Sequence, residues 1–190
     1  MVINEKALVR EMKQAYRYNG YTVMVMPSDR WVIKSKGEWA VVIQGQDNVP
    51  NEVLALIVLH MGKLPKPESS CVIYKGEKCS VIQKEVYATA AADFAVMENE
   101  RLQTEDEPVE LRRTGLVYGR RRVWQQTGDL RIRLINPAYE SLMDQDGTKM
   151  VRNVGDRICL EGEISCVYIY HAAGGASEAL VEHLAQVKWT

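Results

Sequence analysis

A chain of 190 residues with 46% hydrophobic content is long enough for one well-buried core, and its formal net charge is only −1. Bulk charge favours neither a general polyanion binder nor a DNA mimic, so any such function has to come from a local patch. The longest apolar run, Val53 to Leu59, falls far short of a bilayer span, and the opening Met1-Val2-Ile3-Asn4-Glu5-Lys6 lacks the layout of a secretory signal, which points to a cytoplasmic protein that engages no membrane.

In chain order, Asn4 is placed to cap a first helix running to about Tyr18. Leu8, Val9, Met12, Ala15 and Tyr16 recur at helical spacing, and Asn19-Gly20 supplies a stop. Tyr21 to Met26 reads as a strand, and Trp31 to Ser35 with Glu38 to Gln44 reads as a hairpin closed near Lys36-Gly37. Pro50 suits a first helical position, and the helix that follows is apolar on every face from Val53 to Leu59 before Gly62 ends it. Such a helix is either the central core helix or one that buries a face in a homodimer interface.

After Pro65 and Pro67, Cys71 to Tyr74 reads as a strand turning at Lys75-Gly76. The segment from Cys79 to Glu100 is expected to begin as a strand over Val81, Ile82, Val86 and Tyr87, then to become a helix over Ala88 to Met97. The acidic stretch through Pro108 is expected as a loop, and as the best candidate for a seam near 98–110 within a single domain spanning 1–190. A meander follows, with strands at Leu116 to Tyr118, Arg121 to Gln126, Leu130 to Ile135, Arg157 to Leu160 and Ile164 to Tyr170. Asn136-Pro137 opens a short helical turn carrying Tyr139 and Leu142, and Ser177 is placed to cap a last helix. No internal repeat is visible. The fold class is α+β with mostly antiparallel strands, an N-terminal helix, a buried central helix and a C-terminal helix.

Charge is the most polarised feature. Between Glu98 and Glu110 lie six carboxylates and one arginine, and between Arg112 and Arg133 lie seven arginines. Guanidinium groups present a flat fork of donors suited to phosphate or carboxylate, which lysine does not. A two-residue turn at Gly128-Asp129 would pair Gln126 with Arg131 and Trp124 with Arg133. Arg122, Trp124, Gln126, Arg131 and Arg133 would then share one outward face, with Val123, Leu130, Ile132 and Leu134 on the buried one. A three-residue loop would slip the register and send Trp124 into the core. The candidate binding residues are Arg112, Arg113, Arg120, Arg121, Arg122, Trp124, Arg131 and Arg133, with Glu105, Asp106 and Glu107 of the neighbouring acidic stretch. The competing reading pairs these arginines with Glu98, Glu100, Glu105, Asp106, Glu107 and Glu110 in a surface network worth about 0–1 kcal/mol per exposed pair.

Catalytic signals are weaker. The four cysteines, Cys71, Cys79, Cys159 and Cys166, straddle turns near Gly76 and Gly162, and lack the tight knuckles of a zinc site. His60, His171 and His183 are scattered, and the segment from His171 to Glu178 joins a strand to a helix through Gly174-Gly175 without the residues of a phosphate loop. No metal or cofactor is implied. Cys166 with His171 is the one nucleophile–base pairing worth carrying, as the basis of a small Cys/His enzyme.

The opening helix with Gly20-Tyr21-Thr22-Val23, then Trp39-Ala40-Val41-Val42, then Val49-Pro50-Asn51-Glu52-Val53 through His60-Met61-Gly62-Lys63-Leu64-Pro65 resembles small proteins of phages and mobile elements of gut Firmicutes. The likeness covers mainly the first 75 residues and is closest to the group containing type II-A anti-CRISPR proteins. It implies a cofactor-free inhibitor in the bacterial host cytosol that binds Cas9 with its guide RNA and blocks DNA engagement or cleavage. Two other expectations stand beside it: a DNA- or RNA-binding accessory protein that uses the arginine ribbon directly, and the Cys166–His171 enzyme.

Overall fold

The computed structural model describes residues 2–76, 84–103, 107–128, 131–143 and 148–171, without the side chains of 84–87, 89 and 148. The helix capped by Asn4 forms as expected: α1 spans Glu5–Tyr18, and the Asn4 carboxamide oxygen accepts from the Ala7 amide at 3.1 Å. It is followed by β1 (Tyr21–Val25), β2 (Arg30–Ser35), β3 (Trp39–Gln44), α2 (Asn51–Met61) and β4 (Ser69–Ile73). The second half contains α3 (Lys84–Gln103), β5 (Val109–Tyr118), β6 (Arg121–Gln126), β7 (Ile132–Ile135), the single turn α4 (Pro137–Glu140), β8 (Thr148–Val154), β9 (Arg157–Glu161) and β10 (Ser165–Tyr170).

The ten described strands join one sheet in the order β4-β1-β2-β3-β10-β9-β8-β5-β6-β7, and every pairing among them is antiparallel. The α+β, mostly antiparallel class read from sequence is therefore correct. The connectivity repeats, although the residues do not. A three-strand meander (β1–β3), a helix (α2) and a strand returning beside the first (β4) recur as β5–β7, α4 and β8.

Both faces of the sheet are covered. On one, Leu8 and Met12 of α1, Val53 and Ile57 of α2 and Tyr139 of α4 pack on Trp31, Trp39, Ile43, Trp124 and Val167. On the other, Phe94 and Met97 of α3 pack on Met24, Val32, Val42, Cys159 and Tyr168. Strands buried on two faces read as near-continuous apolar runs, which is the pattern of Trp39–Gln44.

Several expectations need correction. The central helix is not buried all round: Val53, Leu56 and Ile57 face the core, while Val58 is 41% and Leu59 77% exposed. Its uniform apolarity thus exceeds what the core uses. Val86 and Tyr87, expected in a strand, lie in α3, because the alanine-rich stretch that follows favours helix strongly enough to draw in the residues before it. The same helix runs through Glu98 and Glu100 to Gln103, so the acidic stretch is only partly a loop. Strand β8 was not expected at all. The proposed strand at 79–83, the glycine loop and last helix beyond residue 171, Cys79 and His183 lie outside the described residues. No described helix is long and apolar enough to cross a membrane.

Candidate nucleic-acid interface

The arginine ribbon takes the two-residue-turn register: Trp124 pairs with Arg133, and the Gln126 amide donates to the Arg131 carbonyl at 2.7 Å. Its outward face is nevertheless wrong. Leu111 and Ile135 lie on the same side as Trp124, and that side packs on α4. The indole is 2% exposed. On the opposite side Val123, Gln125 and Leu134 are buried as well, so the assumption that one face of the ribbon is wet fails.

Arginines on the Trp124 face reach past the core edge to polar partners of the same chain. Arg113 Nε lies 2.6 Å and Arg122 Nε 3.6 Å from the two carboxylate oxygens of Glu140. Arg133 donates to Asn153 Oδ1 from Nε and Nη2 at 3.3 and 3.2 Å. Arg131 is exposed. These four residues and Trp124 are therefore committed largely to holding α4 and β8 against the ribbon, or stand apart from the tip described next.

The acidic partners expected for the ribbon are engaged elsewhere. Glu98 receives Arg30 at 3.1 Å and Arg101 at 3.3 Å on Oε2, and the Tyr168 hydroxyl at 2.5 Å on Oε1. Arg101 also reaches Glu161 at 2.8 Å, whose second oxygen meets Arg152 at 3.3 Å. Glu100 pairs with Arg157 at 3.2 Å. The α3–sheet seam is thus a chain of alternating charges. Its carboxylate hydrogen bonds hold the Arg101 guanidinium firmly protonated against the penalty of burial. Glu110 accepts from the Thr127 hydroxyl, Glu107 is exposed, and Glu105 and Asp106 lie outside the described residues.

What remains outward is the end of the β5–β6 hairpin. Among the described residues β5 pairs with β8 as far as Arg112, and its last residues pair with β6. The turn at Gly119-Arg120 has positive φ at both residues, 53° and 69°, the left-handed geometry of a tight two-residue hairpin. A bulge between Arg113 and Val117 is braced by Thr114, whose hydroxyl donates to the Val123 carbonyl at 2.6 Å and accepts from the Leu116 amide at 3.2 Å. Tyr118 pairs with Arg121 and Arg112 with Gln125, which puts Arg112, Tyr118 and Arg121 on the ribbon face opposite Trp124, with Arg120 at the turn. Tyr118 is 39% and Val117 57% exposed. Among the described residues Arg112 and Arg120 form no ion pair, and the Arg121 charge lies near the Tyr139 hydroxyl.

An aromatic ring among outward guanidiniums is therefore present, but at Tyr118 and not at Trp124. The signal that could have located it is the pair Gly119-Arg120 between two alternating runs, which marks a projecting tip. The residues between Val109 and Gln126 hold five arginines against the single carboxylate of Glu110.

Elsewhere, an open cleft of about 510 Å³ between α3 and β1–β3 is lined by Lys34, Lys36, Phe94, Met97, Arg157 and Tyr170. Its arginine is already held by Asp156 and Glu100 and lies over the Tyr170 ring. The Cys166–His171 pairing is not formed: Cys166 sits near the start of β10 on the face covered by α3, diagonal to Cys159, and His171 lies beyond the far end of that strand. Among the described residues no three His, Cys, Asp or Glu side chains converge on a metal position.

No family model matches the chain, and no curated protein matches it. Among solved structures it is similar to a DNA polymerase III beta subunit of Eubacterium rectale, at 8% identity and a TM-score of 0.43, over 98% of this chain and 68% of that one. It is similar also to the beta subunits of Thermotoga maritima (10%, TM-score 0.42, covering 92% and 64%) and Pseudomonas aeruginosa (11%, TM-score 0.39, covering 93% and 65%). The chain spans about two thirds of the length of these subunits, and likenesses this distant carry no activity to it.

The Cas9-inhibitor expectation is overturned. The contact surface offered for it does not exist as drawn, since Trp124 is buried and Arg113, Arg122 and Arg133 are bound within the molecule.

Proposed function

We propose that the protein is a non-catalytic, cytoplasmic nucleic-acid-binding protein and that the β5–β6 hairpin is its contact element. The observation that carries this reading is Arg120 and Arg121 beside half-exposed Tyr118 at the exposed end of the β5–β6 hairpin, with exposed Arg112 further along the same ribbon. Guanidiniums suit backbone phosphates, and a tyrosine face offers a sequence-tolerant stacking platform for an unpaired base. Arg112 and Arg121 sit four residue positions from one another across the ribbon, about 13 Å at the strand rise, which is enough to meet separate phosphates. Recognition of this kind rests on backbone charge and not on base edges, in keeping with a near-neutral chain, of net charge −1, whose arginines give it a locally positive tip.

The test is fluorescence anisotropy with labelled single-stranded and duplex oligonucleotides over a salt series. Three phosphate contacts give a log–log salt slope of roughly −2 to −3. The double variant Arg120→Glu/Arg121→Glu is expected to lose binding while its circular dichroism and urea midpoint stay at wild-type values. Absence of wild-type binding to either oligonucleotide at about 50 mM salt, where such contacts are strong, would reject the proposal. So would undiminished binding by the double variant.

A further inference from the structure

On the α3 side of the β9–β10 hairpin, four side chains form a two-by-two block. Cys166 stands opposite Glu161, and Tyr168 opposite Cys159, so the two thiols occupy one diagonal and the tyrosine and glutamate the other. Glu98 and Arg101 of α3 cap the second diagonal through the Tyr168 hydroxyl and the Glu161 carboxylate. The thiols of the first diagonal are neighbours across the two strands. Cys159 is fully buried and Cys166 only half-buried, which leaves one sulfur reachable from solvent and the other directly behind it.

The surroundings give the two sulfurs different characters. The Cys159 thiol beside it and, after the opposing cost of burial, the charge of Arg101 draw the Cys166 thiol below its ordinary range. The neighbouring Cys166 sulfur and complete burial push the Cys159 thiol well above it. The reachable sulfur is thus the one disposed to be a thiolate.

We propose that Cys166 and Cys159 are a peroxide-reactive thiol pair that forms a reversible cross-strand disulfide. The Cys166 thiolate attacks one oxygen of a hydroperoxide; the S–O bond forms, the O–O bond breaks, and the departing oxygen leaves as hydroxide or alkoxide. The Cys159 sulfur then attacks the Cys166 sulfenic sulfur. The S–S bond forms, and the sulfenic oxygen departs as water with the Cys159 proton. Two thiols supply the two electrons that reduce the peroxide. Diagonal positions stand about 7–8 Å apart at Cα, wider than the roughly 4.4–6.8 Å of an unstrained disulfide, so the crosslink must pull β9 and β10 together. A bond formed under that tension is readily reduced by a dithiol, as a reversible modification requires.

The experiment treats the folded wild-type protein with an equimolar amount of hydrogen peroxide, blocks remaining thiols with N-ethylmaleimide, and digests with a glutamate-specific protease. Glu161 and Glu163 lie between the two cysteines, so the crosslink appears as two joined peptides. The expected result is a Cys159–Cys166 disulfide that disappears after dithiothreitol, with Cys71 still alkylated. In Cys159→Ser, Cys166 is expected to accumulate as a sulfenic acid trapped by dimedone, and in Cys166→Ser, Cys159 is expected to stay reduced. Oxidation of Cys71 or Cys79 ahead of Cys166, or Cys166 oxidation slower than that of free glutathione, overturns the proposal. Because the decisive reading is made on the wild-type chain, a variant that fails to fold does not remove the test.

Discussion

Two groups of arginines in this chain have opposite fates. At the α3 seam, Arg30, Arg101, Arg152 and Arg157 each meet a carboxylate within 3.3 Å, and Glu98 and Glu161 each serve two of them. At the hairpin tip, Arg112 and Arg120 meet none among the described residues. The difference lies in geometry and not in composition: a helix laid on a sheet brings carboxylates from one element over cations from another, whereas at the exposed hairpin end no described element lays a carboxylate over Arg112 or Arg120. Arginine density along the sequence therefore says little about function until one knows which guanidiniums already have an anion. Between the two groups stand Arg113 and Arg122, which share Glu140 and belong with the structural set despite their place in the cluster.

The largest expected effect tests the assignment of Trp124 to the structural side. Trp124→Ala removes a buried indole at the junction of β6 and α4 and is expected to cost about 3–5 kcal/mol in urea unfolding. A cost below about 1 kcal/mol would fit an indole held at the surface and would return Trp124 to the contact site. Next in size is Glu98→Ala, which takes the carboxylate from Arg30 and the Tyr168 hydroxyl and leaves Arg101 with Glu161 alone. Removing one partner from a mostly buried network of this kind is expected to cost about 2–3 kcal/mol, somewhat below the full penalty for a dry ion pair because Arg30 is partly wet. If the loss is no larger than that of an exposed pair, the seam is surface decoration and the contrast between the two groups fails.

Much of the architecture was legible because local signals agreed with tertiary burial. The Asn4 cap, the Gly62 stop and the Lys36-Gly37 turn each mark an element end found where expected. Strand β8 was missed since Thr148–Val154 alternates poorly, with lysine, arginine and asparagine among the few apolar residues. The register of the ribbon was readable from its turn, but its outward face was not. Face assignment from alternation presumes that one side is wet, and here Trp124 and Val123 on opposite sides are both buried. The seam was invisible for a different reason: Glu98 meets Arg30 across 68 positions of chain, and no spacing rule reports such a meeting.

A smaller effect appears at alkaline pH. Burial, then the neighbouring Cys159 and the hydrogen bond to Glu98, push the Tyr168 hydroxyl well above its ordinary value. The folded state therefore holds this proton more tightly than the unfolded chain. Its contribution is fully present below about 10, the unfolded tyrosine value, and is lost as pH rises beyond it. Urea midpoints at pH 8 and 10.5 are expected to fall more for wild type than for Tyr168→Phe, which has no phenol there to ionise. Equal falls would mean that the hydroxyl is solvated and that the seam is open at its centre. Tyr139, raised chiefly by burial, contributes in the same direction and remains in both proteins.

The smallest effect on stability separates the two groups most sharply. Arg120 holds φ at 69°, a conformation that glycine adopts without penalty and arginine does not. Arg120→Gly at this turn is expected to raise stability slightly, by up to about 1 kcal/mol, since it relieves the left-handed strain although it also frees the unfolded chain. The same substitution removes one of the tip cations, so oligonucleotide binding is expected to weaken and the salt slope to shrink by somewhat less than one unit. A residue kept in a strained turn for its charge should show this opposition of gain and loss. If binding and slope are unchanged while stability rises, Arg120 contributes nothing to the contact, and the tip reduces to Arg112, Tyr118 and Arg121.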